Sequence, residues 1–152
     1  MMKREFLRSR EVKEFSRMVF EQWGAVPELF DKVVFVKSKD KIYIVNRDIE
    51  RLDLGQLRIN SYGIYIAELK NTQVRLSIEG SQLVGPVATK NIHEISESQL
   101  KDWLRGLDLS VDGNYDGFVI LKCNGDFVGS GKFRDGVVFN YVPKARRLLD
   151  IH

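Results

Sequence analysis

Residues 118–142 read FVILKCNGDFVGSGKFRDGVVFNYV. Two dipeptides punctuate the stretch, Asn124-Gly125 and Asp135-Gly136, and both are hairpin turn signals. The runs between them are rich in β-branched and aromatic residues. The stretch therefore predicts consecutive antiparallel strands, and this decides the fold class. A rival reading sits inside it, because Gly129-Ser130-Gly131-Lys132 has the look of a nucleotide-binding loop. The spacing rejects that rival. A P-loop needs a glycine five residues before its Gly-Lys pair and a hydroxyl after it, to cradle phosphates and hold Mg²⁺. Here the first position is Asp126 and the last is Phe133. Gly129, Gly131 and Lys132 thus belong to a strand.

The chain has 152 residues, enough for one domain or two small ones. Hydrophobic residues make up 43% and charged residues 30%, a balance that builds a core and excludes disorder as the main state. No apolar run reaches the roughly eighteen residues that a membrane helix needs. The N-terminal MMKREFLRSREVKEF is charged throughout and lacks the apolar region of a signal peptide. A single cysteine, Cys123, excludes an internal disulfide and fits a reducing cytosol, so a cytoplasmic location is expected. With only His93 and His152 beside it there is no metal-ligand cluster, and no metal or cofactor is expected.

Net charge is +3, mild for a nucleic-acid binder, but its distribution is uneven. Residues 1–75 carry 15 Lys/Arg against 11 Asp/Glu, and residues 76–152 carry 9 against 10. Within 132–147, however, Lys132, Arg134, Lys144, Arg146 and Arg147 face only Asp135. Positive charge gathers at the N-terminus and near the C-terminus.

Ser9 to Trp23 predicts an amphipathic helix, with Val12, Phe15, Val19 and Trp23 at helical spacing and Gly24 and Pro27 to stop it. VVFVK (33–37) and KIYIV (41–45) predict a hairpin through Ser38-Lys39-Asp40. DIERLDL (48–54) suggests a short helical turn, and 56–70 a strand broken at Ser61–Gly63. VRLSI (74–78) reads as a strand and EGSQLVGP (79–86) as turns. Ser96 and Gln99 then form a capping box, with Ile95 and Leu100 as its hydrophobic staple. Leu100, Trp103, Leu104 and Leu107 would be the buried face of that helix, ended by Gly106. The expected architecture is α+β: an N-terminal helix-and-strand unit, residues 1–73, and a small mixed β pseudo-barrel, residues 74–152. No linker composition separates them, so the two should pack rigidly.

Four signatures in order carry a resemblance: G-x-Y-x-x-E-L-K at 63–70, L-R-G at 104–106, G-x-G-K at 129–132 and N-Y-x-P-K-x-x-R at 140–147. Together they resemble the C-terminal RNA-binding module of Sun-type RNA cytosine-5 methyltransferases, a variant of the PUA fold. The resemblance covers roughly 60–150. It implies that the second unit is PUA-like and binds RNA. It also implies a module without its enzyme, because the chain is too short for the methyl-donor domain and lacks the family's paired catalytic cysteines. Cys123 sits in L-K-C-N-G with no activating base beside it and reads as a small buried apolar residue rather than a nucleophile. Modules of this kind without a catalytic domain occur in archaea, so the resemblance points to an archaeal origin.

The best site candidate is NYVPKARR. Asn140 and Tyr141 offer hydrogen bonds or a stacking face, and Lys144, Arg146 and Arg147 offer charge. Lys132, Arg75, Lys90 and Arg105 are further candidates. Gly129 and Gly131, two apart on one strand face, would permit close approach of an RNA backbone or of a packed neighbour. Each has a plain structural alternative. Arg105 could serve the helix dipole, the glycines a bend in the barrel, and NYVPKARR a solvated edge. The N-terminal basic group from Lys3 to Arg17 could extend a phosphate track or be the wet face of the first helix.

The expected function is non-catalytic binding of structured RNA, ribosomal or transfer, in RNA modification or ribosome biogenesis. The alternative is an adaptor that docks to a separate RNA-modifying enzyme or a pre-ribosome. No carboxylate pair, nucleophile–base pair or metal cluster supports an enzyme.

Overall fold

The computed structural model describes residues 4–46 and 63–148. Strand β1 (Arg4–Phe6) leads into helix α1 (Ser9–Trp23). The Glu11 carboxylate accepts the Arg8 backbone N–H at 3.0 Å and so serves the helix start. Gly24 ends the helix at φ 86°, where its N–H reaches the Phe20 carbonyl at 2.7 Å. Phe15, Val19 and Trp23 are the buried stripe. A 3-10 turn at Glu28–Asp31 then brings Phe30 inward. The rings of Phe15, Phe30 and Phe35 meet at centroid separations of 5.2–5.9 Å.

The hairpin of β2 (Val33–Ser38) and β3 (Lys41–Asn46) is as expected, and Lys39 takes a positive φ in its turn. Strands β4 (Ile64–Lys70) and β5 (Gln73–Leu76) form a second hairpin. The first sheet runs β1-β2-β3-β4-β5, antiparallel throughout. The helical turn expected at 48–54 lies outside the described residues, as do residues 56–62 of the expected strand.

Two expectations on the next stretch are corrected. The strand ends at Leu76, and EGSQLVGP is mostly helix α2 (Ile78–Val84) rather than turns. Ser77 explains both. Its hydroxyl accepts the Gly80 N–H at 3.0 Å, a cap that stops the strand and starts the helix. Gly80, a turn residue by type, is there for space. A Cβ on it would come within 2.0 Å of the Ile66 carbonyl oxygen.

Helix α3 (Glu97–Leu104) begins at the expected box. Ser96 Oγ accepts the Gln99 N–H, and the Gln99 side chain accepts the Ser96 N–H, both at 3.1 Å. Trp103 is fully buried and donates its indole N–H to the Val128 carbonyl at 2.9 Å. Leu107, expected on the buried face, is 47% exposed, because the helix ends before it and the helical period no longer holds.

The second sheet is built from β6 (Ile92–Glu94), β7 (Leu109–Ser110), β8 (Phe118–Cys123), β9 (Asp126–Arg134) and β10 (Val137–Phe139). Its order is β6-β8-β9-β10-β7, with β6 parallel to β8. The three strands expected from 118–142 are its centre, while the short β1, β6 and β7 have no sequence signal. The helices and two sheets make the chain α+β, consistent with a PUA-like β module.

Strand β8 ties the structure together. Phe118 and Ile120 join the first core, with Phe15, Trp23 and Leu76. Val119, Leu121 and Cys123 join the second, with Trp103 and Val138. Alternate residues of one strand thus serve two cores, which is why FVILKC is apolar almost without interruption. No helix among the described residues is long and apolar enough to cross a membrane.

Candidate nucleic-acid interface

Residues 140–148 leave β10 and close around the C-terminal end of α3. Asn140 drives this. Its side-chain amide donates to the carbonyls of Trp103 (2.8 Å) and Leu107 (2.9 Å). Its carbonyl oxygen accepts the Val142 N–H at 2.7 Å, and its own N–H donates to Asp108 Oδ1 at 2.7 Å. The amide thus adds a donor to the Trp103 carbonyl, which also accepts the Gly106 N–H, and ties down the turn that follows the helix. The strand expected over 137–142 stops at Phe139 for the same reason.

Tyr141 is half-buried between a cation and a second ring. The Arg75 guanidinium lies 4.9 Å from its ring centroid, and Phe118 lies 5.7 Å away. Arg75 is a half-buried hub, its side chain 13% exposed. Nη2 donates to Tyr65 Oη at 2.9 Å and to Glu68 Oε1 at 3.2 Å, and Nη1 reaches the Tyr141 carbonyl at 3.4 Å. Its Nε is buried with no partner among the described residues, an arrangement that costs about 1–3 kcal/mol if nothing fills it. Burial pushes the Glu68 carboxyl up, but the Lys70 ammonium and Arg75 guanidinium outweigh it and hold the group below its ordinary value. Burial pushes the Tyr65 phenol up.

Beyond Pro143 a 3-10 turn, Lys144–Arg146, faces outward. Lys144 is exposed and has no side-chain partner among the described residues. Arg146 Nη1 lies 2.7 Å from both carboxylate oxygens of Glu79, in a pair 47% and 34% exposed. Arg147 is half-buried. Its Nε donates to the Val142 carbonyl at 2.9 Å, and its side chain lies on Gly106, where a Cβ would stand 2.5 Å from that nitrogen. The Leu148 N–H donates to the Leu104 carbonyl at 2.8 Å. The segment therefore brings Arg147 against Gly106, the residue after exposed Arg105, at the end of α3.

The other candidates are placed differently. The space left by Gly129 and Gly131 is taken by Trp103. A Cβ on Gly129 would stand 3.4 Å from the indole nitrogen, and one on Gly131 would meet Trp103 at 2.9 Å and the Phe139 carbonyl oxygen at 2.2 Å. Lys132 is half-buried, its ammonium 5.9 Å from the Phe118 ring centroid. Lys90 is exposed and lies against Gly24 at the end of α1. In the N-terminal basic group, Arg17 pairs with Glu14 and Glu21, while Arg8, Arg10 and Lys13 are exposed.

Cys123 is buried. Burial pushes its thiol up, and the nearby Glu97, Glu94 and Asp126 push the same way, so the thiolate is disfavoured. His93 Nδ1 lies 2.6 Å from Tyr115 Oη, and burial lowers its basicity against the pull of Asp112 and Glu94. Glu79, Tyr65, Glu68 and Trp103 shape this region, although sequence reasoning does not single them out as partners of the basic residues. One of them is countable. A two-residue turn at Asn71-Thr72 puts Glu68 opposite Arg75, the register observed. Glu79 carries no such signal, since it meets Arg146 across 67 residues.

An α+β chain whose second sheet packs on a capped helix and whose C-terminal arm wraps that helix is consistent with a PUA-like module. Residues 90–148 match the family model described as the Methyltransferase RsmF PUA domain. That match is consistent with the expected resemblance of this part of the chain to the RNA-binding module of RNA cytosine-5 methyltransferases. The chain is 27% identical over 115 residues to a protein named Ribosomal RNA small subunit methyltransferase F from Vibrio atlanticus (strain LGP32). It is 22% identical over 114 residues to the protein of the same name from Vibrio vulnificus (strain YJ016). Both alignments cover 75% of this chain, which spans about a quarter (24%) of the length of those relatives. In fold the chain is similar to a crystal structure of the hypothetical protein PH0734.1 from Pyrococcus horikoshii OT3. The TM-score is 0.56 at 13% identity, with 91% of this chain and 83% of that one covered.

Proposed function

We propose that this protein binds structured RNA, ribosomal or transfer, through the C-terminal arm and the end of α3, and acts in RNA modification or ribosome biogenesis without catalysing a reaction itself. The match of residues 90–148 to the PUA domain of an RNA methyltransferase carries this proposal. The names of the relatives favour ribosomal RNA as the target. In this proposal residues 1–73 are an accessory unit and 74–152 the binding unit, working in the cytoplasm.

The contacts are divided by exposure. Lys144 and Arg105 meet phosphate directly and Arg146 and Arg147 flank them, while Lys132 on β9 and Lys90 beside the end of α1 are outlying contacts. Asn140, Tyr141, Arg75, Gly129 and Gly131 hold that surface in shape. If about five phosphates are neutralised, log affinity falls against log salt with a slope of about −4 to −5 on a duplex-like target.

The test is fluorescence anisotropy with labelled ribosomal and transfer RNA across a salt series, wild type beside Arg105→Ala/Lys144→Ala. Salt-sensitive binding weakened in the double variant supports the proposal. No binding by the wild type at low salt overturns it and favours the adaptor, which would then be sought with a separate RNA-modifying enzyme or a pre-ribosome. Calorimetric titration with a methyl donor is expected to give no binding, and clear binding would defeat the non-catalytic part.

A further inference from the structure

A crevice of about 90 Å³ opens where the first sheet, α2 and the C-terminal arm meet. Arg75 and Arg146 line it, with Tyr65, Tyr141, Ser130 and Glu79. Three observations bear on its contents. Arg75 brings a largely enclosed guanidinium, its side chain 13% exposed, whose buried Nε–H has no partner among the described residues. Arg146 sits at the wall in an ion pair with Glu79 that is partly open to water, and pairs of that kind exchange partners at little cost. The size limits the guest. A water needs only about 10–15 Å³, and an apolar cavity of about 150 Å³ takes a benzene ring, so about 90 Å³ is short of a nucleobase but ample for a tetrahedral oxyanion.

We infer that this crevice is an oxyanion site of phosphate class, in which Arg75 Nε–H, sealed from solvent until the Arg146–Glu79 pair opens, and the guanidinium released from Glu79 hold one phosphate group. It deepens the RNA-binding proposal and rests on it for the source of that group, a backbone phosphate of the bound RNA. Arg75 supplies a fixed donor, positioned by Tyr65, Glu68 and Tyr141. Arg146 supplies the mobile one, and Glu79 competes with the anion for it. Guanidinium groups suit this task because their planar donors match two phosphate oxygens at once.

The experiment is a titration of the full chain with inorganic phosphate at constant ionic strength, balanced with chloride, following the arginine Nε–H resonances by NMR. The Arg75 signal is assigned by its loss in Arg75→Lys. A saturable shift of that signal at about millimolar phosphate is expected. Arg146→Ala should weaken it about tenfold. Glu79→Gln should tighten it by about threefold, an opposite sign that no loss of folding could mimic. A shift that never saturates, or one indifferent to both substitutions, overturns the inference. A short RNA added at saturation separates the sources. Suppression of the phosphate shift assigns the site to RNA backbone, and an unchanged shift overturns that assignment while leaving a site for free phosphate. Loss of RNA binding altogether, with the phosphate shift intact, would sink the RNA-binding proposal alone.

Discussion

Asn140 and Tyr141 on one side and Lys144 to Arg147 on the other are neighbours in the chain, yet the fold uses them for opposite purposes. The first pair points inward. Both protons of the Asn140 amide go to carbonyls, one in the last turn of α3 and one in the turn beyond it, and Tyr141 is held between Arg75 and Phe118. The second group points outward, where Lys144 has no side-chain partner among the described residues and Arg146 holds a partly exposed carboxylate. A basic–aromatic cluster that looks like one binding motif is thus a clasp followed by a surface. Polar residues fully engaged within a protein have little left to offer a ligand, however suitable their chemistry.

Variants that break the clasp should differ in kind from variants that strip the surface. The largest effect is expected from Trp103→Ala, which removes the indole beneath Gly129 and Gly131 and should cost about 3–5 kcal/mol in urea denaturation. Asn140→Ala should follow. It removes the bonds to the Trp103 and Leu107 carbonyls and from the Val142 N–H, at about 0.5–1.5 kcal/mol each, and a total of about 1–3 kcal/mol is expected by the same measurement. If Asn140→Ala instead left stability unchanged and abolished RNA binding, the division into clasp and surface would be wrong. Arg105→Ala/Lys144→Ala should leave stability within about 0.5 kcal/mol. Its salt slope should become shallower by about 2, one unit for each phosphate that is no longer neutralised.

The smallest effect is electrostatic. Glu68 is held below its ordinary value of 4.5 by Lys70 and Arg75, although burial opposes them. The unfolded chain therefore binds a proton at Glu68 more readily than the folded one. The contribution of this group is complete above about pH 4.5 and is lost as the pH falls through the folded value. Urea midpoints at neutral and acid pH should show the loss, and Glu68→Gln should flatten it. His93 acts in the same direction at a higher pH. Burial lowers its folded value, so acidification below about 6.5 also favours the unfolded chain.

Local signals carry much of the fold. The turns at Asn124-Gly125 and Asp135-Gly136, the periodicity of Ser9–Trp23 and the box at Ser96 and Gln99 each dictate their element through interactions a few residues apart. Helix α2 escapes such reading because its glycine, a helix breaker by propensity, is chosen for its fit against Ile66, a residue on another element. Strands as short as β6 and β7 exist only because β8 and β10 offer them an edge.

The candidate site divides the same way. Its residue types and their order along the chain were fixed by sequence, as was the resemblance they carry. Which arginine is largely enclosed, which is paired at the surface and which is exposed was decided only when β5, α2 and the C-terminal arm came together. Arg75, Arg146 and Arg105 are chemically the same side chain. What separates them is burial and the distance to a carboxylate, and those are properties of tertiary structure alone.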